Sequence, residues 1–209
     1  MSTQLLTKNT EERNYHEQRI TPNGTLFEFL TSPEEVGAEI CLIRGTIPPG
    51  AAVPLHSHSD FELFYVLEGT VEAFQSSNGT PRWATVGAGN PLTIPGNTKH
   101  ALRNGSPLPA TIVLVTTSKL YDFFHEVTKP FDPDQLATPP TPEEIQELSS
   151  AVARYGYWMG SPEENAAIGL APLSEQKQLP VFANPKSEAD RRALQQAAVL
   201  GRIKLGRIK

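Results

Sequence analysis

Between Leu26 and Thr117 the chain consists of short runs rich in β-branched and aromatic residues, separated by turn residues. The runs are LFEFL, AEICLIRGTI, FELFYVLEGTVEAF, RWATV, PLTI, HALRN and ATIVLVTT. The segments PPG, GAG and IPGN supply corners between them. Asn78-Gly79 predicts a hairpin between VEAF and RWATV, because Asn-Gly favours positive φ. Several short strands at this spacing are typical of an all-β sandwich or barrel.

The residues that follow Thr117 change to helical and irregular patterns. Apolar residues recur at helical spacing in SKLYDFFHEV (118–127), which predicts an amphipathic helix that lays an aromatic face on the barrel. Thr141-Pro142-Glu143-Glu144 is a capping box that predicts the start of a second helix. Four prolines leave residues 157–185 without a predicted element, and a last helix is predicted over residues 187–200.

These patterns divide the chain into four predicted parts. The parts are an N-terminal arm (1–25), a barrel (26–117), a mostly helical or irregular C-terminal extension (118–200) and a basic tail (201–209) predicted to be disordered. From residue 186 to the end there are seven Lys or Arg and two acidic residues, although the whole chain has a formal net charge of −5. Short charge runs are usually solvated, so no nucleic-acid partner is expected.

Several classes of protein are disfavoured by what the sequence contains. The single cysteine, Cys41, allows no intramolecular disulfide and no cysteine-rich metal site, and its context predicts a buried strand residue. The N-terminal segment has no apolar h-region, and no run approaches 18 apolar residues, so we expect a soluble cytoplasmic protein without a membrane partner. Glycine-rich nucleotide-binding motifs and a nucleophile elbow are absent from the sequence.

Most of the candidate chemistry lies in PLHSHSDFE, residues 54–62. His56 and His58 are two apart and point to the same face if this segment is a strand. A solvent-facing pair of histidines on an edge strand is the alternative. Glu62 lies an even number of residues from both histidines and is therefore expected on the same face. It opens a run in which Phe64, on that face too, is apolar and predicted to point inward. We therefore predict a buried carboxylate beside two imidazoles. Such a group requires a compensating cation.

A third histidine, His100, follows a second turn and begins the run HALRN. Three histidines and one glutamate suit Fe, Mn, Ni, Co, Cu or Zn and do not suit a sulfur-dependent site. His16 and His125 are predicted to be surface residues. The remaining aromatic residues are predicted to pack in the barrel, with Phe64 also lining a substrate pocket: Phe61, Phe64, Tyr65, Phe74 and Trp83.

Two spaced motifs carry a resemblance to a known family. They are Gly50-x5-His56-Ser57-His58-x3-Glu62-x6-Gly69 and Gly89-x5-Pro95-x-Asn97-x2-His100-x3-Asn104. Both resemble the motifs of the cupin superfamily in order and spacing. One position departs from the pattern, because Asn97 stands where the family usually has glycine and Gly96 lies one place early. Asparagine also tolerates the left-handed backbone conformation, so we expect the turn to form.

The resemblance implies an all-β fold of the double-stranded β-helix type, a jelly-roll cupin barrel, here with a helical C-terminal extension. It implies that His56, His58, Glu62 and His100 bind one divalent transition metal, with Fe, Mn or Ni favoured and Co, Cu or Zn possible. Asn104 is expected to be structural. The extension is similar to that of single-domain cupins labelled quercetin-dioxygenase-like.

Three functional hypotheses follow from the resemblance. The first is a dioxygenase for a small enolisable or aromatic substrate, in which Glu62 acts catalytically as ligand and base. The second is a non-oxidative metal-dependent isomerase or lyase, and the third is a barrel that binds a small ligand without catalysis. Regulatory cupins usually carry a helix-turn-helix, which the residues before the barrel are too few to form. The family commonly dimerises through barrel edges, so a homodimer is expected.

Overall fold

The computed structural model describes residues 17–77, 79–132 and 139–176. Strands dominate it, in chain order: β1 Gln18–Ile20, β2 Leu26–Thr31, β3 Ile40–Ile47, β4 Ala52–Ser57, β5 Glu62–Glu68, β6 Thr70–Ser77, β7 Thr80–Gly87, β8 Pro91–Ile94, β9 His100–Arg103, β10 Ala110–Thr117, β11 Lys129–Pro130 and β12 Trp158–Met159. The helices are α1 Pro33–Val36, α2 Ser118–Val127, α3 Pro142–Arg154 and α4 Pro162–Ala167, and a 3₁₀ turn covers Leu173–Glu175.

The strands form two antiparallel sheets that enclose one apolar core. The seven-stranded sheet has the order β11-β1-β2-β3-β10-β5-β8, and the five-stranded sheet has the order β12-β4-β9-β6-β7. Burial alternates along β3, as a strand with one face on a core requires. Ile43, Val66 and Ile94 are fully buried between the sheets. The predicted fold class, a jelly-roll barrel with a helical C-terminal portion, is confirmed.

Two local predictions agree with the structure in detail. Ser77 pairs with Thr80 across a two-residue hairpin loop, and Gly79 adopts a φ of 92°. Helix α2 has the predicted bounds, and it packs its aromatic face on the barrel: the rings of Phe124 and Phe27 meet edge to face, with centroids 4.9 Å apart. No helix in the described ranges is both long enough and apolar enough to cross a membrane.

The prediction for two of the barrel aromatic residues is wrong. Phe61 and Tyr65 point away from the core and are exposed, whereas Phe74 and Trp83 pack together with ring centroids 5.5 Å apart. Phe61 precedes β5, and Tyr65 has the parity opposite to that of the buried Phe64. The alternation of the strand decides which aromatic residue is inward, and apolar character alone does not.

The prediction that residues 157–185 lack regular structure is also wrong for the part that the structure describes. Residues 157–176 contain β12, α4 and the 3₁₀ turn. A usable signal was present, because Ser161-Pro162-Glu163-Glu164 repeats the capping box of residues 141–144, and residues 32–35 contain it a third time. All three boxes start a helix. Residues 1–16 and 177–209, with the predicted last helix and basic tail, lie outside the described residues.

The extension attaches to the barrel along strand β4. Strand β12 pairs with β4, so that Met159 lies opposite His56. Beyond it, the Gly160 amide donates to the carbonyl of Leu55, and the Leu55 amide donates to the side-chain oxygen of Asn165. This pairing satisfies backbone groups of β4 that would otherwise form an open sheet edge. The extension therefore completes the five-stranded sheet beside His56.

Asn165→Ala is expected to lower the free energy of unfolding by about 2–3 kcal/mol, because it leaves buried backbone groups without partners. The Asn165 side chain accepts from Leu55 and donates to the carbonyls of Gly160 and Ser161. Urea denaturation measures the change. Asn90→Ala is the matched control, since exposed Asn90 also bonds two backbone carbonyls. Equal losses in the two variants would contradict the role of Asn165.

Candidate metal centre

Three histidines and one glutamate from both sheets meet at one place in the barrel. His56 lies on β4 opposite His100, the first residue of β9. His58 follows the end of β4, and Glu62 begins β5 in the other sheet. One potential ligand atom from each of the four residues lies within 4.8 Å of all the others. The structure thus brings together all four residues that the sequence predicted.

Glu62 was predicted correctly as a member of the cluster, but the strand-parity argument for it is wrong. The chain does not run straight from His56 to Glu62, because it bends at Ser59 and Asp60 and enters the second sheet. Shared strand parity therefore does not place Glu62 beside His58. Glu62 reaches His58 because the chain crosses from one sheet to the other. A strand pattern within residues 54–62 cannot reveal this crossing.

Each histidine is oriented through its Nδ1 atom. Nδ1 lies 2.8 Å from the Pro54 carbonyl in His56, 3.0 Å from the Asp60 carbonyl in His58 and 2.8 Å from the Thr98 carbonyl in His100. A carbonyl can only accept, so Nδ1 carries the proton and Nε2 presents a lone pair. This arrangement is typical of histidines that bind a metal.

The atoms that face one another in the cluster lack partners. His58 Nε2, Glu62 Oε2 and His100 Nε2 are buried and make no hydrogen bond. Glu62 Oε2 nevertheless lies 2.9 Å from His100 Nε2 and 3.8 Å from His58 Nε2. Because these contacts are not directed hydrogen bonds, they are favourable only when a positive charge lies among the three atoms. The donor set of imidazoles and a carboxylate fits a divalent transition metal.

The protonation preferences of the cluster agree with this fit. Burial, together with the nearby His100, lowers the pKa of His56 to about 3. Burial also lowers the pKa of His58. Burial alone would raise the pKa of Glu62, but His100, together with His58 and His56, outweighs burial and holds that pKa below its usual value. For His100 burial opposes protonation, but the Glu62 carboxylate raises its pKa. A metal ion and a proton would therefore compete for His100 Nε2.

Asp60 and Tyr157 support His58 from outside the cluster. Asp60 lies in the bend between the sheets, and its carbonyl accepts a hydrogen bond from His58. Its buried carboxylate accepts hydrogen bonds from Thr117 and, at 2.9 Å, from the hydroxyl of Tyr157. Burial and this carboxylate raise the pKa of Tyr157. Sequence reasoning missed Tyr157, because the extension brings it here from 97 residues away.

Tyr157→Phe is expected to weaken metal binding about 10-fold, because the bend that orients His58 loses one of its anchors. Metal titration of the purified protein measures the dissociation constant. Tyr155→Phe is the control, since Tyr155 packs against the same Phe123 ring without bonding to Asp60. Unchanged affinity in Tyr157→Phe would show that the hydroxyl does not hold the site.

The turn before His100 is locked onto the bend that carries His58. Asn97 has a φ of 63°, so asparagine does adopt the left-handed conformation expected of it. Its amide donates to the His58 carbonyl at 2.6 Å. At Gly96 a Cβ atom would lie 2.2 Å from the Ser59 carbonyl oxygen. Glycine is therefore required at position 96 for close approach, and the two turns form one unit.

A cavity of about 140 Å³ opens beside the cluster. His56, His58, Glu62 and Phe64 lie in its wall, as does Tyr157. The rest comes from both sheets, the turn between β1 and β2, α2, α3 and the 3₁₀ turn. It contains three polar residues, Thr21, Asn23 and Thr25, and is otherwise apolar: Pro22, Phe27, Ile47, Val53, Pro54, Leu102, Ile112, Leu114, Leu120, Phe123, Phe124, Val127, Leu148, Val152, Trp158, Met159 and Leu173. Within the described residues no Lys or Arg lines it, and Glu62 is its one acidic residue.

The other two histidines do not join the cluster. His16 lies outside the described residues. The surface prediction for His125 is wrong, because its ring is partly buried against Phe29 and Tyr121, with centroids 4.1 and 4.5 Å away. It belongs to the aromatic face of α2. Asn104 is structural as expected: it is fully buried and donates to the carbonyls of Ile47 and Leu108.

The barrel and its cluster define the class of this protein as a jelly-roll protein with a candidate metal centre. Residues 43–116 match the family model of the cupin domain, Cupin_2. The matched residues cover about a third of the chain and include all four clustered residues. No curated protein sequence matches the chain.

Solved structures with similar folds carry different functions in their descriptions. A predicted oxalate decarboxylase from Thermotoga maritima is 22% identical, with a TM-score of 0.43, over 50% of this chain and 93% of that one. A cupin-superfamily sugar phosphate isomerase from Silicibacter pomeroyi is 21% identical, with a TM-score of 0.42, over 51% and 73%. The polyketide cyclase RemF from Streptomyces resistomycificus is 23% identical, with a TM-score of 0.41, over 59% and 83%. None of these likenesses is strong enough to indicate a reaction for this chain.

Proposed function

We propose that this protein is a cytoplasmic, metal-dependent dioxygenase for a small, uncharged, apolar substrate with an enolisable or aromatic group. One observation carries the proposal: the unpartnered Nε2 and Oε2 atoms of a three-histidine, one-glutamate cluster border an apolar cavity. The quercetin-dioxygenase-like resemblance of the sequence supports the oxidative reaction. His56, His58, Glu62 and His100 would hold the metal, and Fe, Mn or Ni is favoured.

The wall of the cavity selects the substrate. An anionic substrate such as a carboxylate or a phosphate ester would need a cationic side chain, and the described wall contains no Lys or Arg. Aliphatic and aromatic residues instead favour an apolar molecule, since burying apolar surface gains about 25 cal/mol per Å². A polar group on one end of the substrate would face Glu62 and the histidines, which fixes its orientation.

Glu62 is the proposed catalytic residue. The neighbouring His100 holds its pKa below the usual range, so the carboxylate is ionised at neutral pH and can accept a proton from an enolisable substrate. Apolar residues of α2 and α3 and the Tyr157 ring line the cavity beside it, which limits the water that can compete for that proton. A divalent transition metal held beside Glu62 would supply Lewis acidity and, if redox-active, a route for electrons to dioxygen.

Oxygen consumption by the metal-loaded protein tests the proposal. We expect uptake with neutral flavonols, β-diketones or acireductone-like compounds, its loss on chelation and its return with Fe(II), Mn(II) or Ni(II). Carboxylated or phosphorylated forms of the same compounds should react poorly. Glu62→Gln should abolish turnover.

Two other outcomes would replace the dioxygenase. Turnover without oxygen, retained with redox-inert Zn(II), would indicate an isomerase or lyase that uses the same cavity. Tight binding of these compounds without any turnover would indicate a barrel that binds a small ligand. Either result would contradict the oxidative reaction.

A further inference from the structure

The exposed large apolar side chains of this protein lie together on one surface. Within the described residues, six of them expose more than a third of their area: Val36, Ile40, Phe61, Leu63, Tyr65 and Leu67. The last four precede or lie on β5, where Leu63, Tyr65 and Leu67 alternate with buried Glu62, Phe64 and Val66. Ile40 begins β3 of the same sheet, and Val36 ends the short helix before it. Ile40, Leu63, Tyr65 and Leu67 thus face the outer side of the seven-stranded sheet, opposite to their buried strand neighbours.

The register of the sheet joins these side chains into one apolar face. Leu63 lies opposite Val115 of β10, and Val115 lies opposite Leu42 of β3. In the next row Tyr65 lies between Val113 of β10 and Pro91 of β8. These four neighbours complete the surface, which we name the β5 face: Leu42, Phe61, Leu63, Tyr65, Leu67, Pro91, Val113 and Val115.

Charge is confined to the border of the β5 face. Arg44 on β3 lies opposite Val113, and its guanidinium is 3.9 Å from the Glu28 carboxylate on β2. Glu68 marks the other end of β5. The Leu63 row, from Leu42 to Thr93, carries no charged residue, and the Tyr65 row is charged only at its β2–β3 end, where Arg44 lies beside Glu28. Two copies can thus meet here without placing like charges in contact.

The size of the face suits a protein interface. The four exposed side chains of the face, Phe61, Leu63, Tyr65 and Leu67, present on the order of 300 Å², at the lower end of the roughly 300–600 Å² of the largest patch on a typical monomer, which is often functional. Their partly buried apolar neighbours extend the area toward the roughly 800 Å² that each partner buries in a standard interface.

We propose that the β5 face is the interface of a homodimer, in which the seven-stranded sheets of two copies stack face to face. A twisted sheet packs on an identical sheet at about 10 Å, with strands aligned within about 30°. A two-fold axis through the face would place each apolar row against an apolar row of the second copy. The family resemblance pointed to pairing through barrel edges, whereas the described surface favours a sheet face.

The oligomeric state of the full chain tests this interface. Light scattering coupled to size exclusion should give twice the chain mass for the wild type at micromolar concentration. In Leu63→Glu/Tyr65→Glu we expect the chain mass and at least a roughly 100-fold weaker association, because four carboxylates would be buried in one dimer. Both positions are exposed, so circular dichroism should show an unchanged fold. Thr80→Glu/Thr85→Glu adds the same charge to exposed positions of β7 and should remain dimeric.

Three results would overturn the proposal. They are a monomeric wild type, a dimer that survives Leu63→Glu/Tyr65→Glu, and dissociation of the β7 control to the same extent. Metal content measured on the same samples is independent of this test. Failure of the dimer is therefore distinguishable from failure of the proposed function.

Discussion

Gly96→Ala is expected to lower the free energy of unfolding by about 3 kcal/mol or more, and to impair the metal centre as well. The added methyl group would lie 2.2 Å from the Ser59 carbonyl oxygen, which is backbone and cannot turn aside. Either the turn at residues 95–97 or the bend at residues 58–60 must move. The first turn precedes His100 and the second follows His58, so the cluster loses its geometry along with the stability.

Chemical denaturation and metal titration measure the two effects together. Gly87→Ala is the matched control, because its methyl group would have only an ordinary contact, 4.0 Å from Thr70 Cγ2. It should change the free energy of unfolding much less and leave metal affinity intact. Wild-type stability in Gly96→Ala would mean that the two turns do not touch as described.

The second large effect is expected from His100→Ala, which should weaken metal binding at least about 100-fold. This exceeds the loss expected when a residue that only supports a ligand is replaced. His100 contributes one of the three unpartnered atoms and is the closest to Glu62, at 2.9 Å. Its removal takes away one ligand and leaves the buried Glu62 carboxylate with less positive charge nearby. Titration of chelator-treated protein with Mn(II) or Ni(II) measures the loss.

His125→Phe provides the control for this variant. His125 also has a buried Nε2 atom without a hydrogen bond, but it packs among aromatic rings away from the cluster. Phenylalanine preserves that packing, so metal affinity should equal that of the wild type. Comparable losses in His100→Ala and His125→Phe would contradict the assignment of the site.

The cluster of four candidate ligands could be predicted from the sequence, because its sequence signals are short. His56, His58 and Glu62 lie within one spaced motif, and His100 lies in a second. The strands could be predicted for the same reason, because each depends on a short run of residues. Strands β8 and β10 have the predicted bounds. The reason offered for Glu62 failed because parity holds only within a strand, and the bend at Asp60 interrupts it.

What sequence reasoning missed depends on contacts between distant residues. Strand β12 forms because β4 offers it a partner, and a run of two residues, Trp158 and Met159, is too short to carry a strand pattern of its own. Tyr157 reaches Asp60 only through that pairing. The exposure of Tyr65 follows from which side of β5 meets the core, and both sides of that strand are apolar. Helix α4 could have been predicted, because its capping box is visible in the sequence.

The most direct test of the metal centre is elemental analysis of protein purified without chelators, compared with His58→Ala. We expect close to one divalent transition metal per wild-type chain, and loss of most of it in the variant. A wild type that is metal-free at neutral pH, and that still binds none of Fe, Mn, Ni, Co, Cu or Zn when these are added, would contradict the central claim.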